Sequence, residues 1–117
     1  MRVCFSTCIS YLAAASSCRA IKIYDRSLSL LSALEGHSEI ITDLCFVPTV
    51  SAALLSCSED GNLICFDAKN NKVISKLKGI CGKSLYCCAS NGQLMVAGGE
   101  AGICFWYVVV FPCIRCQ

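Results

Sequence analysis

His37, Ser56 and Asp60 are residues whose types together could perform catalysis. A hydroxyl, an imidazole and a carboxylate form the catalytic triad of many hydrolases. In one large hydrolase class the serine sits in a sharp Gly-x-Ser-x-Gly turn, whereas Ser56 lies within an apolar run next to Leu55. The sequence therefore predicts no enzyme, no catalytic residue and no cofactor.

Twelve cysteines in 117 residues form a second group with chemical potential. This density is typical of small secreted domains held together by disulfides. Most of these cysteines, however, lie inside apolar, strand-like runs, where a free thiol behaves as a small buried hydrophobic group. We expect free thiols, with a disulfide framework as the alternative; examples in such runs are Cys57, Cys65, Cys87, Cys88 and Cys104.

Neither metal binding nor nucleic-acid binding is expected. Cys113 and Cys116 form a Cys-x-x-Cys pair, but no second pair stands at ligand spacing. The net charge is +2 and the basic residues are scattered, so the sequence has no basic patch for nucleic acid or an acidic membrane.

Two apolar segments have features of targeting or membrane signals. Arg2 and the apolar residues after it, ending in three alanines, leave a signal peptide open as an alternative. The apolar run from Ile103 to Ile114 is shorter than the roughly 20 residues of a membrane helix. No transmembrane helix is predicted.

The elements that position these residues are repeated along the chain. Each repeat has an aromatic residue near the end of its third strand, and these markers are 42 and then 40 residues apart: Tyr24, Phe66 and Trp106. This spacing lies within the roughly 40 to 45 residue period of four-stranded propeller blades. The similar segments are Phe5–Asp25, Phe46–Asp67 and Leu94–Trp106.

Short β-rich runs bounded by turn residues predict the strands. In repeat two they are Ile41–Val47, Ala53–Ser58, Asn62–Asp67 and Lys72–Leu77. In repeat one they are Val3–Ser6, Tyr11–Ser16, Ala20–Asp25 and Leu28–Leu34. In repeat three they are Leu85–Ala89, Leu94–Gly98 and Ile103–Tyr107, with Val108–Phe111 as the candidate outer strand.

Gly36-His37 before the inner strand and Asp60-Gly61 between the middle strands complete a recognisable pattern in repeat two. With them, most of residues 5–106 resembles the WD-repeat family of β-propellers. The resemblance implies an all-β fold of two to three antiparallel four-stranded propeller blades. The blades would form an incomplete, open arc, because a closed ring needs roughly 4 to 8 of them.

The repeats also predict the domain limits. Residues 1–107 would form the partial propeller, with blade one at about 1–34, blade two at about 36–78 and an incomplete blade three at about 83–107. Residues 108–117 would be a divergent apolar tail. Within the family, Lys22–Asp25 and Cys65–Ala68 are similar to the group called WD repeat-containing protein 89.

For repeat two, the resemblance implies a structural hydrogen-bond chain through His37, Ser56 and Asp60. The fourth member in the family is a tryptophan whose indole N–H donates to the hydroxyl. Phe66 occupies that position here, so the donor is missing and the blade is expected to lose on the order of 1 kcal/mol.

The resemblance implies an intracellular scaffold, in the cytoplasm or nucleus, that binds protein partners and neither nucleic acid nor membrane. Self-association through uncovered blade faces is also expected. The alternatives are a small secreted disulfide-rich β domain and a truncated gene product without independent function. The residues expected to contact a partner are Glu35, Ser38, Glu39, Glu59 and Asn62.

Overall fold

A computed structural model describes residues 2–5, 11–15, 19–47, 52–78, 84–92 and 94–107. For residues 5 and 104–107 it describes the backbone. Within the described residues the chain forms eleven β-strands and no helix, which confirms the all-β class. The strands are β1 Arg2–Phe5, β2 Leu12–Ala15, β3 Ile21–Tyr24, β4 Leu30–Leu34, β5 Ile41–Phe46, β6 Ala53–Ser58, β7 Leu63–Asp67, β8 Lys72–Leu77, β9 Leu85–Ser90, β10 Leu94–Gly99 and β11 Gly102–Tyr107.

The strands form three antiparallel sheets that follow the chain order. Sheet one contains β1 to β4, sheet two β5 to β8 and sheet three β9 to β11. The first strand of sheet two, β5, packs against β1 on one side and β9 on the other. The sheets therefore stand side by side with their first strands together, as blades of an incomplete propeller do. The candidate outer strand of sheet three, Val108–Phe111, lies outside the described residues.

Sheet two is covered on both faces, which explains its unusually apolar sequence. All six residues of β6 are buried, although alternate side chains of a strand point to opposite faces. Leu54 belongs to the core shared with sheet one, and Leu55 belongs to the core shared with sheet three. A strand buried on both faces has a nearly continuous apolar sequence instead of an alternating one.

Each of the two cores joins neighbouring sheets. Full burial of a leucine or isoleucine side chain stabilises a fold by roughly 1.5 to 3 kcal/mol, so these junctions provide much of the driving force for folding. The first core includes Ala13, Ala15, Ile21, Ile23, Leu34, Ile41, Leu44, Phe46, Leu54, Ile64 and Phe66. The second includes Val47, Ala53, Leu55, Cys57, Leu63, Cys65, Leu85, Cys88, Met95 and Ala97.

The turn between β6 and β7 places Asp60 at one end of sheet two. Gly61 has φ = 82°, a left-handed conformation that glycine adopts without steric cost. Its N–H donates to the carbonyl of Ser58 at 3.1 Å and closes the turn. Asp60 is thereby placed at the tip, next to the loop between β4 and β5.

Candidate functional site

The structure brings His37, Ser56 and Asp60 together at one end of sheet two. His37 lies in the loop between β4 and β5, Asp60 in the turn between β6 and β7, and Ser56 on β6. His37 Nδ1 is 3.0 Å from Asp60 Oδ2, and His37 Nε2 is 2.7 Å from Ser56 Oγ. Because an ionised carboxylate only accepts hydrogen bonds, Nδ1 carries the proton and Nε2 accepts from the Ser56 hydroxyl.

Asp60 also holds the backbone of both segments that surround it. One carboxylate oxygen accepts from the N–H of Ser38 at 2.9 Å, and the other accepts from the N–H of Asn62 at 2.8 Å. Two further bonds join the segments, since Glu59 N–H and Ser58 Oγ–H both donate to the Ile40 carbonyl, at 3.1 and 2.8 Å. The loop and the turn therefore form one connected surface.

Burial and hydrogen bonding shift the pKa values of the pair in the same direction. Burial lowers the pKa of His37 below 6.5, against the opposing effect of the Asp60 charge. Burial alone would raise the pKa of Asp60, but hydrogen bonds from Asn62 and Ser38 and the His37 partner outweigh it and lower this pKa. The geometry and these directions describe a neutral imidazole bound to an ionised carboxylate.

The order Asp60, His37, Ser56 is that of a catalytic triad, but the serine is enclosed. Ser56 is 0% exposed and His37 is 6% exposed, so a substrate cannot reach this hydroxyl. The ring of Phe66 closes the site edge-on to His37, with the ring centroids 6.4 Å apart and the planes at 65°. The arrangement is suited to fixing a loop onto a sheet.

The residues predicted to contact a partner lie around this connected surface. Glu35, Ser38, Glu39 and Glu59 are exposed, whereas Asn62 is half-buried. All five belong to the loop between β4 and β5 or to the turn between β6 and β7, so the structure places them at the same end of sheet two.

Polar links between the first strands of the sheets were not predicted from the sequence. Thr42 Oγ1 donates to the carbonyl of Leu85 at 2.7 Å, and the N–H of Cys88 donates to Asp43 Oδ2 at 3.0 Å. On the other side, Arg2 Nε donates to the Thr42 carbonyl at 2.9 Å. The sequence feature that could have indicated these links is Thr42-Asp43 within the otherwise apolar strand β5. Polar side chains in a strand packed between two sheets need hydrogen-bond partners.

The described cysteines show which thiols are accessible. Cys4, Cys45, Cys57, Cys65, Cys87 and Cys88 are free, and of these Cys87 is exposed. Burial, followed by the nearby Cys45 and Asp67, raises the pKa of Cys65 to about 12.

In the described part of the chain, no three His, Cys, Asp or Glu side chains are placed to hold a metal ion, and no helix has the length and apolarity to span a membrane.

The structure has neighbouring antiparallel sheets whose first strands adjoin. In sheet two, a histidine in the loop binds an aspartate in the turn. These features define a β-propeller type of repeat protein. Residues 28–67 match the family model described as WD domain, G-beta repeat. This segment begins in the loop before β4 of sheet one and ends with β7 of sheet two. This part of the chain is therefore similar to a WD repeat.

Two curated proteins show the same relationship over part of their length. Nuclear distribution protein PAC1 of Komagataella phaffii is 38% identical over 72 residues, which cover 58% of this chain and 14% of that protein. The WD repeat-containing protein 89 homolog of Dictyostelium discoideum is 42% identical over 62 residues, covering 52% of this chain and 17% of that protein. The predicted resemblance to the WD repeat-containing protein 89 group is confirmed. The chain spans less than a fifth of the length of either relative.

Proposed function

We propose that this chain is a protein-interaction scaffold whose contact surface is the loop between β4 and β5 together with the turn between β6 and β7. The observation that carries the proposal is the Asp60 carboxylate, which binds His37, Ser38 and Asn62 at once. A surface that is ordered before binding loses less conformational entropy when a partner arrives.

The charge of this surface favours a partner with basic groups. Glu35, Glu39 and Glu59 are exposed there, and complementary charge raises the rate and specificity of association. Lys76 lies beside them and donates to the carbonyl of Gly36 at 3.1 Å, so one edge of the surface is also positively charged. The proposed contact residues are Glu35, Ser38, Glu39, Glu59 and Asn62.

We propose an intracellular location, in the cytoplasm or the nucleus. Six described cysteines are free thiols, and reducing compartments keep thiols in this state. The proposed domain limits are unchanged: blades at about 1–34, 36–78 and 83–107, followed by a tail at 108–117.

Site-specific photo-crosslinking in cells tests the contact surface. A photoreactive amino acid at position 39 should give a discrete protein adduct, whereas the same amino acid at position 70 should not. Position 70 lies in the turn between β7 and β8, at the opposite end of sheet two.

Reversing the charge of one surface residue distinguishes a specific partner contact from crosslinking that only reflects exposure of position 39. Glu59→Lys should abolish the adduct formed at position 39, and the matched change Lys69→Glu at the other end should leave it intact. The same adducts at both positions, or an adduct insensitive to Glu59→Lys, would place the partner elsewhere.

A further inference from the structure

Three cysteine thiols from three strands meet in the core between sheets two and three. Cys57 on β6 and Cys88 on β9 belong to that core, and Cys45 on β5 packs against it. All three are free thiols; Cys57 and Cys88 are buried, and Cys45 is half-buried. This junction therefore contains a cluster of reactive sulfur atoms that the histidine site does not use.

The strand register places Cys88 between the other two thiols. Where β5 pairs with β6, Asp43 lies opposite Cys57, and two residues further along β5, Cys45 lies opposite Leu55. These four residues share one face of sheet two and mark the corners of a four-sided patch. Cys88 contacts one diagonal of the patch, because its N–H donates to Asp43 Oδ2 at 3.0 Å and its Sγ is 3.9 Å from the Leu55 carbonyl oxygen. The two thiols of sheet two occupy the other diagonal, so Cys88 lies between them.

Hydrogen bonds between the sulfur atoms agree with this placement. Contacts with Cys45 and Cys57, together with burial, raise the pKa of Cys88. The hydrogen bond with Cys88 is the main reason that the pKa of Cys57 is lowered, against the opposing effect of burial. A disulfide forms when one sulfur atom attacks another, so thiols that already touch are the ones that oxidation can join.

Exposure differs within the cluster and decides which thiol encounters an oxidant first. Cys57 is 0% exposed and Cys88 is 8% exposed, whereas Cys45 is half-buried. Oxidants favour accessible thiols, and a neighbouring cysteine then converts the oxidised sulfur to a disulfide. Two other thiols are less suited as that neighbour, since Cys4 packs on the core with sheet one and burial raises the pKa of Cys65 to about 12.

We propose that Cys45 and Cys88 form a reversible disulfide on exposure to hydrogen peroxide, and that this bond holds sheet three on sheet two. First, the Cys45 sulfur takes one oxygen atom from the peroxide: the O–O bond breaks, the thiol becomes a sulfenic acid, and one water is released. The Cys88 sulfur then attacks the Cys45 sulfur, the S–O bond breaks, and the Cys88 proton leaves with the hydroxide as a second water. The two thiols lose two electrons and the peroxide gains them. A dithiol reductant reverses the reaction by exchange.

Disulfide mapping of the 117-residue chain tests the proposal. The reduced, folded protein is treated with hydrogen peroxide, the remaining thiols are alkylated, and the unreduced protein is digested with trypsin and chymotrypsin for tandem mass spectrometry. A peptide that joins Cys45 to Cys88 is expected. Its yield should be lower by about tenfold or more when the chain is oxidised in urea, because the two sulfur atoms are then no longer held together. Equal yields in the folded and unfolded chain, or a bond from Cys88 to Cys57 instead, would overturn the proposal.

Two serine variants assign the roles of the thiols. Cys88→Ser should abolish the disulfide and leave Cys45 as a sulfenic acid, which dimedone traps. Cys87→Ser is the matched control, since Cys87 is the neighbouring residue but is exposed, and it should leave the disulfide unchanged. Circular dichroism shows whether both variants keep their strands, and the mapping in the natural chain decides the pairing without either of them. A disulfide that is lost in Cys87→Ser would contradict the assignment.

Amide hydrogen exchange tests whether the bond holds the two sheets together. Oxidation should slow the exchange of β9 by about tenfold or more, because this strand can then no longer move away from β5, and dithiothreitol should restore the original rate. Unchanged exchange in the oxidised chain would show that the disulfide does not hold sheet three. These measurements use the purified chain without a partner, so this inference and the proposed function can fail separately.

Discussion

The Ser56 hydroxyl and the His37 imidazole form a 2.7 Å hydrogen bond that is shielded from water. The same imidazole binds the Asp60 carboxylate on its other nitrogen. The loop before β5 is therefore tied to the middle of β6 and to the turn after it through a single side chain. Because both ring nitrogens form hydrogen bonds, this connection depends on the protonation state of His37 as well as on packing.

A double-mutant cycle should reveal this tie. His37→Ala and Asp60→Ala should each lower the free energy of unfolding by roughly 1 to 3 kcal/mol, because each leaves a buried polar group without its partner. The double variant should cost less than the sum of the two changes. Urea unfolding followed by circular dichroism provides the measurement, and additive losses would show that the two side chains do not interact.

The stability should also fall as the pH drops through the range where histidine titrates. Burial lowers the folded-state pKa of His37 below 6.5, so below pH 6.5 the unfolded chain binds the proton more readily than the folded one. The stabilisation is therefore complete above pH 6.5 and is lost as the pH falls through the folded-state value. The slope should reach at most about 1.4 kcal/mol per pH unit for one proton.

His37 is the single histidine of the sequence, which allows a clean control. His37→Asn keeps an N–H donor for Asp60 but does not titrate, so its unfolding free energy should be flatter between pH 7.5 and pH 5 (about the range of histidine titration). Equal slopes in the two proteins would assign the acid sensitivity to other groups. The lowered pKa of Asp60 adds a further loss only below its unfolded value of 3.8.

Replacing Phe66 by tryptophan should stabilise the protein. Phe66 is 1% exposed, and its ring meets His37 edge-on. An indole N–H at this place would donate to Ser56 Oγ and contribute about 1 kcal/mol, the usual net value of a hydrogen bond. Close packing against Gly36, where an added Cβ would lie 3.4 Å from the Phe66 ring, offsets part of this gain.

The variant Ser56→Ala identifies the source of any gain. If the indole acts through the hydroxyl, Phe66→Trp should stabilise the natural chain but not the Ser56→Ala chain. Thermal unfolding of the four proteins gives this comparison. A gain of equal size in both backgrounds would assign the effect to packing.

The strands were predictable because turn residues bound short apolar runs. Strands β6 and β8 begin and end at the predicted residues, and the other ends differ by at most two residues. Asp67 closes the next turn locally, because its carboxylate accepts from the N–H groups of Lys69 and Asn70 at 3.0 and 3.1 Å. These features depend on residues close together in the sequence.

Contacts between sheets could not be predicted in the same way. The Asp43 carboxylate meets the Cys88 N–H, 45 residues away, only because β5 and β9 are neighbours in space. The tie through His37 was expected from the family resemblance and not from spacing, since 23 residues separate it from Asp60. The five partner-contact residues were likewise expected from the resemblance, and they stay a proposal.

Alkylation of the folded protein should distinguish two adjacent cysteines. Cys87 is exposed and Cys88 is 8% exposed, while contacts with Cys45 and Cys57, together with burial, raise the pKa of Cys88. Since the thiolate is the reactive form, Cys87 should react rapidly and Cys88 slowly. Cys65 should also react more slowly than an exposed thiol. With a pKa of about 12, its thiol is ionised in only roughly one molecule in ten thousand at pH 8.

Tandem mass spectrometry of the alkylated peptides assigns the label to each cysteine. After denaturation without a reductant, Cys65, Cys87 and Cys88 should all react, as should most of the twelve cysteines. Labelling of Cys88 as fast as Cys87 in the folded protein would mean that sheet three does not cover that side of sheet two. Twelve unreactive cysteines in the denatured chain would instead show a disulfide framework, and the secreted alternative would then replace the intracellular scaffold.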